Sequence, residues 1–200
     1  MLRDLLPDIT VHYSILLAGG LSIRMGQDKA VLQINGESLL QRGCKLLEES
    51  GSAVNLVSGR EGFPNSVADI IPHAGPPGGL YSCLEYLLKL EQLNNSPIII
   101  VPVDMPFLNA DLLQALLNNI KDQDACHFEG EIFPCAVRAS EKLRQHLQKL
   151  FADSHELGGR RSMRGVLEFS NSKAIEKSLF AEDLFSNINT PEEYKNLLTD

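Results

Sequence analysis

"YSILLAGGLSIRMGQDKA", residues 13–30, sets an apolar run directly against a glycine-rich segment that also carries Arg24 and Lys29. Tyr13–Leu17 reads as a short buried β-strand. Gly19, Gly20 and Gly26 then release the backbone into a loop that side chains do not crowd. Backbone N–H groups below and cationic side chains above make such a loop an anion site. Two common phosphate loops are excluded by spacing. A Walker loop places Lys directly after its last Gly, whereas Gln27 and Asp28 separate Gly26 from Lys29. The three glycines also miss the G-x-G-x-x-G spacing of dinucleotide folds. The plainer alternative is a glycine turn followed by a solvated lysine, with Arg24 pairing weakly to Asp28.

Outward from this loop the chain alternates strands and helices. Residues 31–34 read as a short strand, with Asn35-Gly36 as a turn. Ser38 and Gln41 form a capping box that opens a helix through Glu49. Residues 53–58 are the next strand, followed by a loop holding Asp69, Pro72 and "AGPPGG". A helix is expected over about residues 80–93, with Leu84, Leu87 and Leu88 on one face. "SPIIIVPVDMP" is a continuous apolar strand that ends in a carboxylate, and Asn109 caps a helix to about Ile120. "ACHFEGEIFPCAV" reads as two strands around Gly130, Ser140 starts a helix to about Phe151, and residues 152–165 read as a polar loop. "SKAIEKS" is a last edge strand, and Thr190, Pro191 and Glu193 start a terminal helix.

Unalternated apolar strands between helices argue for a parallel sheet covered on both faces. The expected fold is α/β, a single-domain Rossmann-like three-layer αβα sandwich with a mostly parallel sheet over residues 1–200. Ligands of such sheets sit at the carboxyl ends of the strands, which is where the glycine loop, "GPPGG" and "VDMP" all lie.

Composition narrows the function. Two hundred residues with 44% hydrophobic content suit one core. A formal net charge of −8 argues against a nucleic-acid partner. No stretch is apolar enough for a signal peptide or membrane span, so a cytoplasmic protein without a membrane partner is expected, and a monomer. The four cysteines, Cys44, Cys83, Cys126 and Cys135, form no C-x-x-C pair. The five histidines are dispersed without metal-ligand spacing.

"LAGGLSIRMGQDKA" resembles the signature of the small nucleotidyltransferases and, among them, the molybdenum cofactor guanylyltransferases. "GPPGGL" (75–80), "VPVDMPFL" (101–108) and "NINTPEEY" (187–194) agree in order and spacing, so the resemblance spans nearly the whole chain. It implies transfer of GMP from GTP to the terminal phosphate of molybdenum-molybdopterin, with release of pyrophosphate. It further implies nucleotide contacts at Leu17, Ala18, Gly19, Gly20, Lys29, Asp69, Gly78 and Gly79, and Mg²⁺ on Asp104. A family Asn after the second long strand is replaced by Ser58 or Val57. Arg24, Lys29 and Asp104 are the expected catalytic groups. Arg160, Arg161 and Arg164 are candidates for steering the anionic pterin, and Asn187 and Asn189 for its phosphate or the metal. Downstream partners would be cofactor-inserting proteins and recipient molybdoenzymes.

The plainer readings of these positions are a turn or cap at Asp104, Asn187 and Asn189, a tight loop at "GPPGG", and a solvated surface at the arginines. Competing functions are cytidylyl transfer to molybdopterin, nucleotide transfer to a sugar phosphate, or non-catalytic binding of a nucleotide or cofactor. Intact Lys29 and Asp104 argue against the last, because binding alone needs no metal at the reacting phosphate.

Overall fold

The computed structural model describes residues 11–20, 26–90, 95–152 and 161–198. Its centre is a seven-stranded sheet. In chain order the strands are β1 (Tyr13–Leu17), β4 (Val54–Ser58), β5 (Ser66–Val67), β6 (Pro97–Pro102), β7 (Ala125–Phe128), β8 (Cys135–Arg138) and β9 (Lys173–Ile175). A two-stranded hairpin, β2 (Gln33–Ile34) with β3 (Glu37–Ser38), completes the set. The spatial order is β5-β4-β1-β6-β8-β7-β9, and β8 alone runs antiparallel to its neighbours.

Helices cover both faces, as runs of buried residues in β1 and β6 require. Tyr13, Ile15 and Leu17 of β1, with Ile98 and Ile100 of β6, pack in one core with α2 (Gly75–Lys89), α4 (Glu141–Ala152) and α5 (Met163–Phe169). The alternate residues Leu16, Ile99 and Val101 pack in the other with α1 (Leu39–Glu49) and α3 (Ala110–Asn119). A small third core joins Leu32, Ile34, Leu39 and Ile188 beneath α6 (Pro191–Leu197). Both expected capping boxes form, at Ser38 with Gln41 and at Thr190 with Glu193.

Three local expectations are corrected. Residues 29–31 form a 3-10 turn capped by Asp28, and only Gln33 and Ile34 are strand. Val31 looked like a strand residue because it is apolar, yet it is 59% exposed. "GPPGG" is not a loop: α2 begins at Gly75, with proline in its first turn, where a missing N–H costs no intrahelical bond. That helix ends at Lys89, and the expected positions 91–93 lie outside the described residues. Within the expected loop at 152–165, Ala152 ends α4 and Met163 begins α5.

Candidate functional site at the carboxyl ends of β1, β4 and β6

Leu17 is level with Ser58 on one side and with Pro102 on the other, so three strands end on one line. Strand order reverses here. From β1 the chain moves to β4 and β5 on one side, then returns to β6 on the other. Such a reversal leaves a crevice, because the connections leave adjacent strand ends in opposite directions. Gly19 and Gly20 leave β1 into it, and Val103 and Asp104 leave β6 into it. The backbone is held firmly at this point: Val103 N–H donates to Leu17 O at 3.0 Å, and Ala18 N–H to Ser58 O at 3.1 Å.

The crevice has two parts. One, of about 380 Å³, is lined by Ala18, Lys29, Val103, Asp104, Asn187 and Asn189, among others. Lys29 Nζ donates to Asp104 Oδ2 and to Asn189 Oδ1, each at 2.8 Å. Three segments far apart in sequence thus meet at one ammonium. Asn189 is brought in by the segment before α6, where Ile188 is buried and its N–H donates to Asp104 O at 2.8 Å. The side chains of Lys29 and Asp104 are 15% and 23% exposed, sheltered but open to a ligand.

The other part, of about 700 Å³, is lined by Gly19, Gly20, Ser58, Gly59, Asp69 and Pro76, among others. Ser58 Oγ donates to Asp69 Oδ1 at 3.3 Å. Val57 is buried in the core, so Ser58 is the residue that presents a polar atom here. Gly79 sits beneath: a Cβ on it would lie 2.4 Å from Ser58 Oγ. Gly78 and Gly79 are buried within α2 and line neither part, while Gly75 and Pro76 reach the cavity. The glycines of "GPPGG" therefore serve close packing as well as the cleft.

Sequence reasoning missed Arg60. Its guanidinium grips both carboxylate oxygens of Asp28, and its Nε donates to Ala18 O at 3.0 Å. Hydrogen bonding from Arg60 holds the Asp28 carboxyl below the usual carboxylate range, outweighing the opposing effect of partial burial. The only signal was its place just beyond the end of β4. Arg161 lies 5.8 Å from the ring of Phe151, and Arg164 is exposed on α5; neither lines the crevice. Arg24 and Arg160 lie outside the described residues.

The described residues hold no cluster of three or more His, Cys, Asp or Glu fit for a metal. Burial pushes the thiols of Cys83 and Cys126 up to about 12, so neither is a thiolate nucleophile. No helix among the described residues is long and apolar enough to cross a membrane.

Residues 14–174 match the model of the MobA-like NTP transferase domain. A molybdenum cofactor guanylyltransferase of Xanthomonas euvesicatoria pv. vesicatoria is 34% identical over 185 residues, covering 92% of this chain and 93% of that protein. A probable molybdenum cofactor guanylyltransferase of Clostridium perfringens is 28% identical over 198 residues, covering 92% and 94%. Among solved structures, molybdopterin-guanine dinucleotide biosynthesis protein A from Archaeoglobus fulgidus superposes with a TM-score of 0.71 at 18% identity, covering 94% of this chain and 97% of that one. A 4-diphosphocytidyl-2C-methyl-D-erythritol synthase from Anaerococcus prevotii gives 0.68 at 11%, covering 95% of each. The structural likenesses speak for the fold.

Proposed function

Because this chain belongs to the MobA-like NTP transferase family, we propose that it transfers GMP from GTP to the terminal phosphate of molybdenum-molybdopterin. The observation that carries the reading is the meeting of Lys29, Asp104 and Asn189 beside the glycine loop. An oxygen of the acceptor phosphate attacks the α-phosphorus of GTP. The bond from that phosphorus to the bridging oxygen breaks, and pyrophosphate leaves with the electron pair. The attacking phosphate monoester has a second pKa of about 6, so it is largely dianionic at neutral pH and needs no general base.

The obstacle is repulsion between anions and the charge gathering on pyrophosphate. Lys29, held beforehand by Asp104 and Asn189, meets the phosphates, and the backbone of Gly19 and Gly20 lines the same space. The nucleoside lies in the larger part of the crevice, against Gly19, Ser58 and Asp69. Mg²⁺ suits the donor set: Asp104 offers a hard carboxylate oxygen that already accepts an ammonium, and Asn187 and Asn189 line the same space. Mg²⁺ needs only one or two carboxylates beside phosphate oxygens and water. Bound there, it would neutralise phosphate charge as a Lewis acid.

The test is a panel of GTP, CTP, ATP and UTP with purified molybdenum-molybdopterin, reading dinucleotide product. Guanine dinucleotide with GTP is expected. Product with CTP alone would replace the base assignment, and no product with any nucleotide would overturn the transfer.

A further inference from the structure

Arg60 has no part in the reaction above, yet its side chain bonds converge on the glycine loop. Ala18 is the residue before the first glycine of that loop, and Asp28 the residue before Lys29. By holding the Ala18 carbonyl and the Asp28 carboxylate together, one side chain ties the two feet of the loop from a third element. The support beneath it is closely packed. Gly59, at φ 78°, lies so close to Gly19 that a Cβ on it would come 2.5 Å from the Gly19 Cα. Gly59 N–H donates to Val67 O at 3.1 Å, and Ser66 Oγ donates to the Arg60 carbonyl.

The link continues toward the chemistry. Asp28 Oδ1 also accepts from Ala30 N–H at 3.0 Å, capping the short turn that begins with Lys29. Any shift of Asp28 is thereby passed to the backbone that aims the Lys29 ammonium. The Asp28 side chain is 37% exposed, so the pair adds little to stability as a charge contact. Its geometry is another matter: a planar guanidinium reaches a carboxylate with two nitrogens and still has Nε for a carbonyl, which an ammonium does not.

We propose that Arg60 is a positioning residue of the nucleotide site, clamping Ala18 to Asp28 so that Lys29 meets the triphosphate from a fixed position. The proposal rests on the nucleotide-transfer reading, and the experiment separates the two. The affinity of the wild-type protein for each of the four nucleoside triphosphates is measured first by calorimetry. Arg60→Met and Arg60→Lys are then compared on the preferred nucleotide, alone and combined with Lys29→Ala, with melting temperature followed throughout.

Both Arg60 variants are expected to stay folded and to bind about ten- to a hundredfold more weakly, the scale for misplacing a binding group by about 1 Å. Lys29→Ala should cost much less affinity in the Arg60→Met background than in wild type, a coupling that a merely structural arginine would not produce. Asp28→Asn breaks the same clamp from the other side and replaces Arg60→Met if that variant does not fold. Wild-type affinity in a folded clamp variant, full rescue by Arg60→Lys, or strictly additive losses with Lys29→Ala would overturn the proposal. Preference for a base other than guanine would overturn the guanylyl assignment and leave the clamp tested on that nucleotide. A protein that binds none of the four overturns both.

Discussion

The two parts of the crevice share a wall and differ in nearly everything else. Leu17, Gly19, Gly20 and Pro76 line both. Beyond β4 the space is large, about 700 Å³; its polar lining includes Glu61, His73 and the hydrogen-bonded pair of Ser58 with Asp69 and, among the described residues, no Lys or Arg. Between β1 and β6 it is smaller, about 380 Å³, and holds the ion pair of Lys29 with Asp104. A flat, neutral nucleoside needs room and hydrogen bonds; a triphosphate needs fixed charge. With the nucleoside in the larger part and the triphosphate in the smaller, as proposed, changes on one side should alter selection and changes on the other should alter rate.

The sharpest way to break this division is Asp104→Asn. The substitution keeps the shape but removes the charge that would hold a divalent cation, and with it several kcal/mol of barrier lowering. Turnover should fall about a thousandfold, with partial recovery at raised Mg²⁺ or with Mn²⁺, and an unaltered melting temperature. A destabilised protein with an unchanged metal profile would make Asp104 a turn residue instead.

Next comes Lys29→Ala, expected to lower turnover about 10²–10³-fold, the usual scale for one preorganised charge contact. Full activity in the folded variant would remove the phosphate role from the smaller part. Because Lys29 and Asp104 bond each other, the double variant should lose less than the product of the two single losses.

On the larger side, Gly79→Ala drives a methyl group toward Ser58 Oγ and to 3.1 Å from Leu17 Cδ2. Displacing Ser58 from Asp69 should raise the KM for the nucleotide about tenfold, near the worth of one or two hydrogen bonds, with a smaller change in kcat. An effect on kcat alone would mean the two parts are not divided as described.

A weaker test lies outside both. Reversing charge at Arg161 and Arg164 together should raise the KM for the pterin substrate about two- to threefold and leave that for GTP unchanged, as expected of exposed steering charges. Unchanged constants would make these residues ordinary surface.

Smallest is the acid response of the clamp between the two parts. The folded Asp28 carboxyl is held below its unfolded value, so its contribution is present above the unfolded pKa of about 4 and is lost as pH falls through the folded value. The difference in melting temperature between wild type and Asp28→Asn should therefore be largest near neutrality and close below about pH 4. A difference that widens in acid would reverse the assigned sign.

What could be read in the chain was local or periodic. Ser38 with Gln41 and Thr190 with Glu193 announce helix starts because both partners of each capping box lie within one turn. The apolar runs of β1 and β6 announce a sheet covered on both faces for a similar reason. "GPPGG" misled because proline and glycine usually break helices. Here the prolines fall in the first turn, and Gly78 and Gly79 are held by packing, a Cβ on Gly78 meeting Ala74 Cβ at 2.3 Å. Lys29 was legible as a cation beyond the glycine loop, and Asp104 as a carboxylate at the end of an apolar strand. Their bond to each other was not, and neither was the clamp at Arg60, whose partner Asp28 stands 32 positions away.

The order of strands has a consequence for how the molecule comes into being. β1 precedes both of its neighbours in the sheet, β4 and β6, by a long stretch of chain, and Lys29 waits across 160 positions for Asn189. Closing such distant contacts costs chain entropy before any bond repays it, and sheets of this connectivity assemble slowly. Until β6 arrives, the apolar face of β1 is an adhesive edge that invites aggregation. The bond from Lys29 to Asn189 closes late in such an order, because the segment that carries Asn189 follows all seven strands of the sheet.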